Sequence, residues 1–348
     1  LASGARDVVS RLAAFNSLRA LTLGLAFAAV GAGMFAALPR HDLPVLLAVF
    51  ASAFWFFANN TSYATALADD DFLTLGVGPW VGLVAGGGVA ATLALAWPSG
   101  GLWAAAAGLH AGKACETLAL WWRFGVPRTS LRADDLRREW DATRHLMLAG
   151  VVSAANARIL VPMVAFVIGV EGAGIVSVGL NLQAAILLLG VAISVPAFRR
   201  AVDGRTVATP REAFERIRGD WAAAIGVSVG LAAAFLAAAR PLTRLVLGGG
   251  AAGAPLPVML ILAAAPLDTL CIFSGVCYHA AHHDRRFLRT TVLTTAGSLL
   301  LVAAGGGIGA TSGAALGYLV SRMVSAAVLN APLIAPAGPA RTRDAAQA

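Results

Sequence analysis

The sequence predicts an all-α, polytopic membrane protein of about ten transmembrane helices in two pseudo-symmetric lobes. Three observations predict it. The hydrophobic fraction is 58% and the charged fraction 13%, against roughly a quarter charged in ordinary soluble domains, so water is not the solvent for most of this surface. Apolar stretches near twenty residues recur along the chain, the length a helix rising about 1.5 Å per residue needs to cross roughly 30 Å of hydrocarbon. The basic residues fall on alternate loops, as cytoplasmic loops of a membrane protein require.

The spans read from the apolar runs are 18–38, 43–66, 72–96, 100–122, 145–168, 174–198, 221–239, 256–281, 287–305 and 308–334. Arg6 and Arg11 precede the first span and Arg19 stands at its start. Six arginines lie from Arg123 to Arg144 and six from Arg199 to Arg218; Arg285 and Arg286 precede the ninth span with Arg289 at its start, and Arg341 and Arg343 lie in the tail. Only Arg40, Arg240 and Arg244 fall on the other side, so both termini are expected in the cytoplasm. The net charge of +8 then reports topology and contact with anionic membrane lipids, not nucleic-acid binding. The chain opens at Leu1 on a basic segment leading into a membrane helix, with no leader pattern, and an upstream portion is expected.

Two polar segments interrupt the spans. In 123–144, Leu131, Leu136 and Trp140 alternate with charges, the pattern of an amphipathic linker helix on the cytoplasmic interface. It separates an N-terminal lobe remainder of four helices, 1–122, from a C-terminal lobe of six, 145–334, followed by a cytoplasmic tail, 335–348. In the second segment, Thr209, Pro210 and Glu212 stand as N-cap, first-turn proline and capping-box acid, and Phe214, Ile217 and Trp221 follow at helical spacing. Cys115, Cys271 and Cys277 lie inside spans without metal-ligand spacing and read as free thiols serving as small apolar residues. No metal or cofactor pattern is present. The glycine clusters 86–88, 248–250 and 305–307 lack the strand and lysine of a phosphate loop and read as sites of close helix packing or bending.

An internal repeat underlies the two-lobe expectation. Tyr63, Ala66, Asp69, Phe72 and Leu73 recur with the same spacing as Tyr278, Ala281, Asp284, Phe287 and Leu288. Ala105, Ala106, Gly108 and Lys113 correspond to Ala314, Ala315, Gly317 and Arg322. Spans one to four then align with seven to ten, and a parallel repeat predicts two further helices upstream of Leu1.

Charges inside spans are costly, about 2.5 to 3.5 kcal/mol at a bilayer centre on insertion scales, and face a cavity or a partner. Arg158 lies about 20 Å along the fifth span from its cytoplasmic end, too deep for easy snorkelling, with Asn156 beside it and Pro162 one turn on, placed to open the helix. It reads either as a phosphate ligand, for which a guanidinium offers a fork of donors, or as the partner of a buried acid such as Asp268. Asn181 and Gln183 suit either sugar hydroxyls or interhelical hydrogen bonds. Lys113 has Glu116 one turn away, a spacing that allows a salt bridge, whereas Arg322 has no evident neighbour on its own helix. Asp268 is the isolated acid at membrane depth, suited to cation coupling or to neutralising Arg158. His110 and His279 read as satisfied polar residues near the packed interior.

Three stretches carry a family resemblance: 144–199, with Pro162, Gly169, Gly172 and Gly174 before a long apolar helix ending at Pro196 and Phe198; the proline-opened run from Pro241 to Gly248; and 305–322, where Gly309, Gly313 and Ala314 lead into the last helix. Over nearly its whole length the chain resembles the Wzx-like oligosaccharide flippases of the multidrug/oligosaccharidyl-lipid/polysaccharide (MOP) superfamily, whose members have twelve or fourteen helices in two lobes around a central cavity. The resemblance implies alternating-access flipping of polyprenyl-diphosphate-linked oligosaccharide for surface polysaccharide or lipopolysaccharide biosynthesis, with polymerase machinery as a further partner. It also places the helix of Arg158 at the cavity wall. Short outer loops holding only Asp42 and Glu171 as acids argue against an enzyme. A cation-coupled multidrug exporter of the same superfamily is the alternative, and its acids would have to be Asp268 and Glu116. A non-transporting scaffold for envelope synthesis is the third class, and the interior charges argue against it.

Overall fold

Proline and glycine set most of the helix ends. The structure, a computed structural model, describes residues 72–126, 132–202, 207–247 and 253–334, with Ser17, Leu18, Leu21, Ala51, Trp55 and Asn59. Apart from Leu18, Leu21, Ala51, Trp55 and Asn59, the expected first two spans lie outside the described residues, as does the tail. The described chain is all helix: α1 (Phe72–Ala96), a 3-10 turn (Pro98–Gly100), α2 (Gly101–Phe124), α3 (Ala133–Ile168), α4 (Val170–Val202), α5 (Pro210–Ala237), α6 (Ala239–Leu247), α7 (Pro255–Ala263), α8 (Ala265–Ala280) and α9 (Asp284–Ile334). Four stretches, Glu171–Val202, Pro210–Ala237, Pro255–Ala280 and Asp284–Ile334, are long and apolar enough to cross a bilayer. Large side chains such as Trp122, Phe166 and Ile308 stand more than nine-tenths exposed, which in a multi-pass membrane protein is a surface for lipid.

The chain divides into two compact units, Leu1–Arg144 and His145–Ala348. In the first, α1 and α2 form an antiparallel hairpin. Pro98, which has no N–H to continue a helix, follows α1, and Gly125 closes α2 with φ +79, a left-handed conformation that costs any residue with a Cβ. Glycines let the two helices touch backbone to backbone. A Cβ on Gly86 would stand 2.6 Å from the Gly108 carbonyl oxygen, and one on Gly108 would stand 2.6 Å from that of Gly86.

The helix α3 runs from Ala133 to Ile168 without a break, across the boundary between the units, so residues 133–144 of the amphipathic segment and the fifth span belong to one helix. Pro162 does not open it as expected. One lost backbone bond is outweighed by the apolar packing of Leu160 and Val164, which are almost wholly buried. Gly169, at φ +92, makes the one-residue turn into α4. The eighth expected span is two helices, interrupted at Ala264, because Pro266 withholds a backbone donor from the preceding turn. The ninth and tenth spans are the two arms of α9, which double back at Gly309 and Ala310, whose backbone is non-helical. Ser298 bonds Ser321 across these arms at 2.9 Å.

Thr209 caps α5 as the sequence indicates. Its hydroxyl accepts from the Glu212 N–H at 3.2 Å, and Glu212 accepts from the Ala208 N–H at 3.1 Å. Phe214, Ile217 and Trp221 enter an apolar cluster with Ala197, Phe273, Tyr278 and Leu329, and the Phe214 and Trp221 rings meet edge to face at 5.5 Å. A second cluster gathers Leu160, Val164, Val176, Ile261, Ala314 and Tyr318. Along α4, α8 and α9 the interval between these two apolar layers holds Gln183, Asp268 and Arg322.

Candidate functional site

Three helices of the second unit bring four polar side chains together. Asp268 stands in the first turn of α8, where the interruption at Ala264 places a helix N-terminus inside the span Pro255–Ala280. The backbone N–H groups of such a terminus favour a carboxylate. Gln183 of α4 donates through Nε2 to Asp268 Oδ2 at 2.6 Å. The Tyr318 hydroxyl of α9 lies 3.0 Å from that oxygen and 3.0 Å from Gln183 Oε1, and shares its one proton between them. Arg322, one helical turn beyond Tyr318, reaches Asp268 Oδ1 with Nη1 at 3.3 Å. Its guanidinium lies over the Tyr318 ring, 5.1 Å from the centroid, a cation–π geometry.

Burial makes this pairing obligatory. Gln183, Asp268 and Tyr318 are all buried, and a lone ion there would cost several kcal/mol, on the order of the penalty that real interiors impose. The donors are distributed unevenly. The carboxylate receives Gln183, Tyr318 and Arg322, whereas the Arg322 Nε is buried without a hydrogen-bond partner. The Asp268–Arg322 contact is also longer than the roughly 2.7–2.9 Å of a strong charge-assisted bond. Neighbouring hydroxyls tie the helices further, with Thr269 donating to Ser228 at 3.0 Å.

The first unit holds a separate polar group. Lys113 bonds Glu116 at 2.6 Å, the one-turn salt bridge that the spacing allows. The Thr117 hydroxyl donates to Asn59 Oδ1 at 2.6 Å, and Trp55 Nε1 donates to His110 Nδ1 at 3.0 Å. Asn59 and Glu116 are buried, and the Asn59 amide nitrogen has no partner.

Several expectations change. Asp268 is not isolated, and the acid proposed as a partner for Arg158 is held by Arg322. Arg322 in turn has its neighbour on another helix, which the reading of its own helix alone left out. Asn156 and Arg158 lie on α3, but their side chains fall outside the described residues. Asn181 is exposed, whereas Gln183, two residues on, faces the interior. His279 Nδ1 bonds Asp284 at 2.5 Å. Cys115, Cys271 and Cys277 are free, and among the described residues no group of His, Cys, Asp and Glu is arranged to hold a metal ion. Tyr318 was not among the expected site residues. Its signal was present, an aromatic residue one turn before an intramembrane arginine.

No protein-family model matches the sequence, and no curated protein matches it. Solved structures do. The chain is similar to the lipid II flippase MurJ in an inward closed conformation, with TM-score 0.67 and 12% identity over 91% of this chain and 71% of that one. It is similar to an inward-facing multidrug resistance MATE family transporter of the MOP superfamily, with TM-score 0.66 and 14% identity over 93% of this chain and 80% of that one. A MATE in complex with MaL6 gives TM-score 0.60 and 14% identity over 92% and 77% of the two chains. At these identities the likeness is one of fold: the chain has the helical architecture of MOP-type transporters, and the proteins that share it are transporters, not enzymes.

Proposed function

We propose that this protein is a transporter that flips polyprenyl-diphosphate-linked oligosaccharide across a bacterial inner membrane by alternating access, with both termini in the cytoplasm. The observation that carries this reading is the Asp268–Arg322 pair. A cation or a cationic drug at membrane depth needs an available carboxylate, and Asp268 is already held by a tethered guanidinium, an amide and a phenol. Glu116 of α2 is likewise held, by Lys113. An anionic substrate fits the balance better, because three basic residues within the helices, Lys113, Arg158 and Arg322, stand against these two acids. The likeness to MurJ, described as a lipid II flippase, supports a lipid-linked cargo whose tail stays in the bilayer while its polar part crosses. Asn156 and Asn181 are further candidates for contact with the glycan.

The test is rescue of surface polysaccharide export in a flippase-deficient strain, with wild type compared with Arg158→Ala at matched membrane expression. Wild type restores export, and the variant loses most of it if Arg158 binds the diphosphate. Equal rescue removes Arg158 from the site and leaves the transport reading standing. No rescue in any of several glycan backgrounds favours a cation-coupled drug exporter, the second reading that the MATE folds support.

A further inference from the structure

The uneven hydrogen bonding around Arg322 points to exchange. Asp268 has an ion pair on one carboxylate oxygen and two hydrogen-bond donors on the other. If Arg322 left, Gln183 and Tyr318 would still hold that oxygen in place. Arg322 has the opposite balance: its single ion pair is long, and its Nε is buried without an acceptor. A buried N–H left unmatched is costly, and a guanidinium is built to fill two donors at once on one anion. The Tyr318 ring against its face holds the planar fork while the partner at its edge changes. The Arg322 side chain as a whole keeps 15% of its surface accessible.

We propose that Arg322 is an exchangeable ligand for a phosphate or diphosphate group, with Asp268 as its resting counter-ion. The incoming anion takes the guanidinium in a two-donor grip that includes Nε, and Gln183 and Tyr318 retain the released carboxylate. On departure of the anion, Asp268 recaptures Arg322, so the site is electrically neutral when empty and the cargo meets a competitor that limits how tightly it is held. This deepens the flippase reading and rests on it for the identity of the cargo. A purely structural ion pair would behave differently, because neither partner would then compete with a ligand.

The experiment uses the full chain in phosphatidylcholine nanodiscs and titrates inorganic pyrophosphate and, separately, a polyprenyl diphosphate, read by tryptophan fluorescence. Asp268→Asn removes the competing charge with little change of shape. It is expected to tighten binding about tenfold or more, as loss of a full charge at ion-pair distance should. Arg322→Gln, alone or combined with Asp268→Asn, is expected to abolish it. Tyr318→Phe, which removes one donor from the released carboxylate, is expected to weaken binding several-fold and serves where Asp268→Asn does not fold. Binding that Asp268→Asn leaves unchanged or weakens, an unchanged Tyr318→Phe, or no response to either probe overturns the proposal. A response to both probes assigns the phosphates themselves as the ligand, and a response to the polyprenyl diphosphate alone assigns a lipid-borne one. Tightening by Asp268→Asn in a chain that fails to restore export sinks the flippase reading and leaves the exchange standing. Export undiminished by Arg322→Gln does the reverse.

Discussion

Three consecutive glycines on α1 allow helix packing to be measured free of helix propensity. Gly86 faces α2, and a Cβ there would stand 2.6 Å from the Gly108 carbonyl oxygen and 3.1 Å from the Gly112 Cα, while Gly87 and Gly88 meet nothing within 4 Å. Both close atoms belong to backbone, so no side chain can swing aside and α2 itself must move. Reaching ordinary contact requires the helices to part by somewhat under 1 Å at a point where their backbones touch. Overpacking of this kind costs roughly 1–3 kcal/mol. Alanine in place of glycine also stabilises an α-helix interior by about 0.8–1.0 kcal/mol, and that gain applies equally to Gly86→Ala and Gly88→Ala. It therefore cancels in their difference, which isolates the cost of separating the helices at roughly 1–3 kcal/mol. Thermal or detergent-induced unfolding of the purified full chain, with the two variants side by side, reads it. Gly88→Ala should match or exceed wild type, and Gly86→Ala should fall below it. Equal midpoints for the two would refute the close approach of α1 and α2.

Arg322→Gln leaves the Asp268 carboxylate buried without its counter-charge and should destabilise the chain by about 3–5 kcal/mol, whereas the Asp268→Asn/Arg322→Gln double variant should recover most of that loss in the same unfolding assay. Thr209→Ala removes the hydroxyl that accepts from the Glu212 N–H at 3.2 Å and should cost about 1 kcal/mol; Thr209→Ser, which keeps the cap, should stay near wild type.

Much of the architecture was legible because it is local. The apolar run 72–96 is α1 itself, since Pro98 lies just past its end. The α5 cap was legible because Thr209, Pro210 and Glu212 act within one turn of one another. Continuity was harder to read. Hydropathy falls sharply before residue 145, yet α3 passes through that point without a break because charged residues such as Asp134, Asp135 and Arg137 are compatible with helix. The interruption at Ala264 was hidden for the opposite reason, since the run remains apolar on both sides of Pro266. The pairing of Asp268 with Arg322 was the least legible feature. Both residues were recognisable as costly, but the choice among arginines depends on which helices pack together, and intramembrane charge is silent on that. Gln183 and Asn181 make the same point: two amides almost adjacent in sequence differ only in which side of α4 meets α8.

The repeat read from the sequence recurs in the contacts. Extending the match of Phe72 with Phe287 without a gap aligns Gly86 with Leu301, and Gly108 is aligned with Gly317. In the first unit the Gly108 position closes on the Gly86 carbonyl, and in the second the Gly317 position closes on the Leu301 carbonyl. The same alignment pairs Lys113 with Arg322, so a basic residue stands at the corresponding point of the second hairpin arm in both units. The acids do not correspond. Glu116 aligns with Ser325, and Asp268 aligns with Ala53. Lys113 takes its acid from its own helix at 2.6 Å, and Arg322 takes its acid from α8 at 3.3 Å. The element the two units share is thus the base, and each neutralises it with an acid from an unrelated position. The exchange proposed above for Arg322 expects this, because a ligand for an anion needs only its own position, with whatever acid lies near to neutralise it.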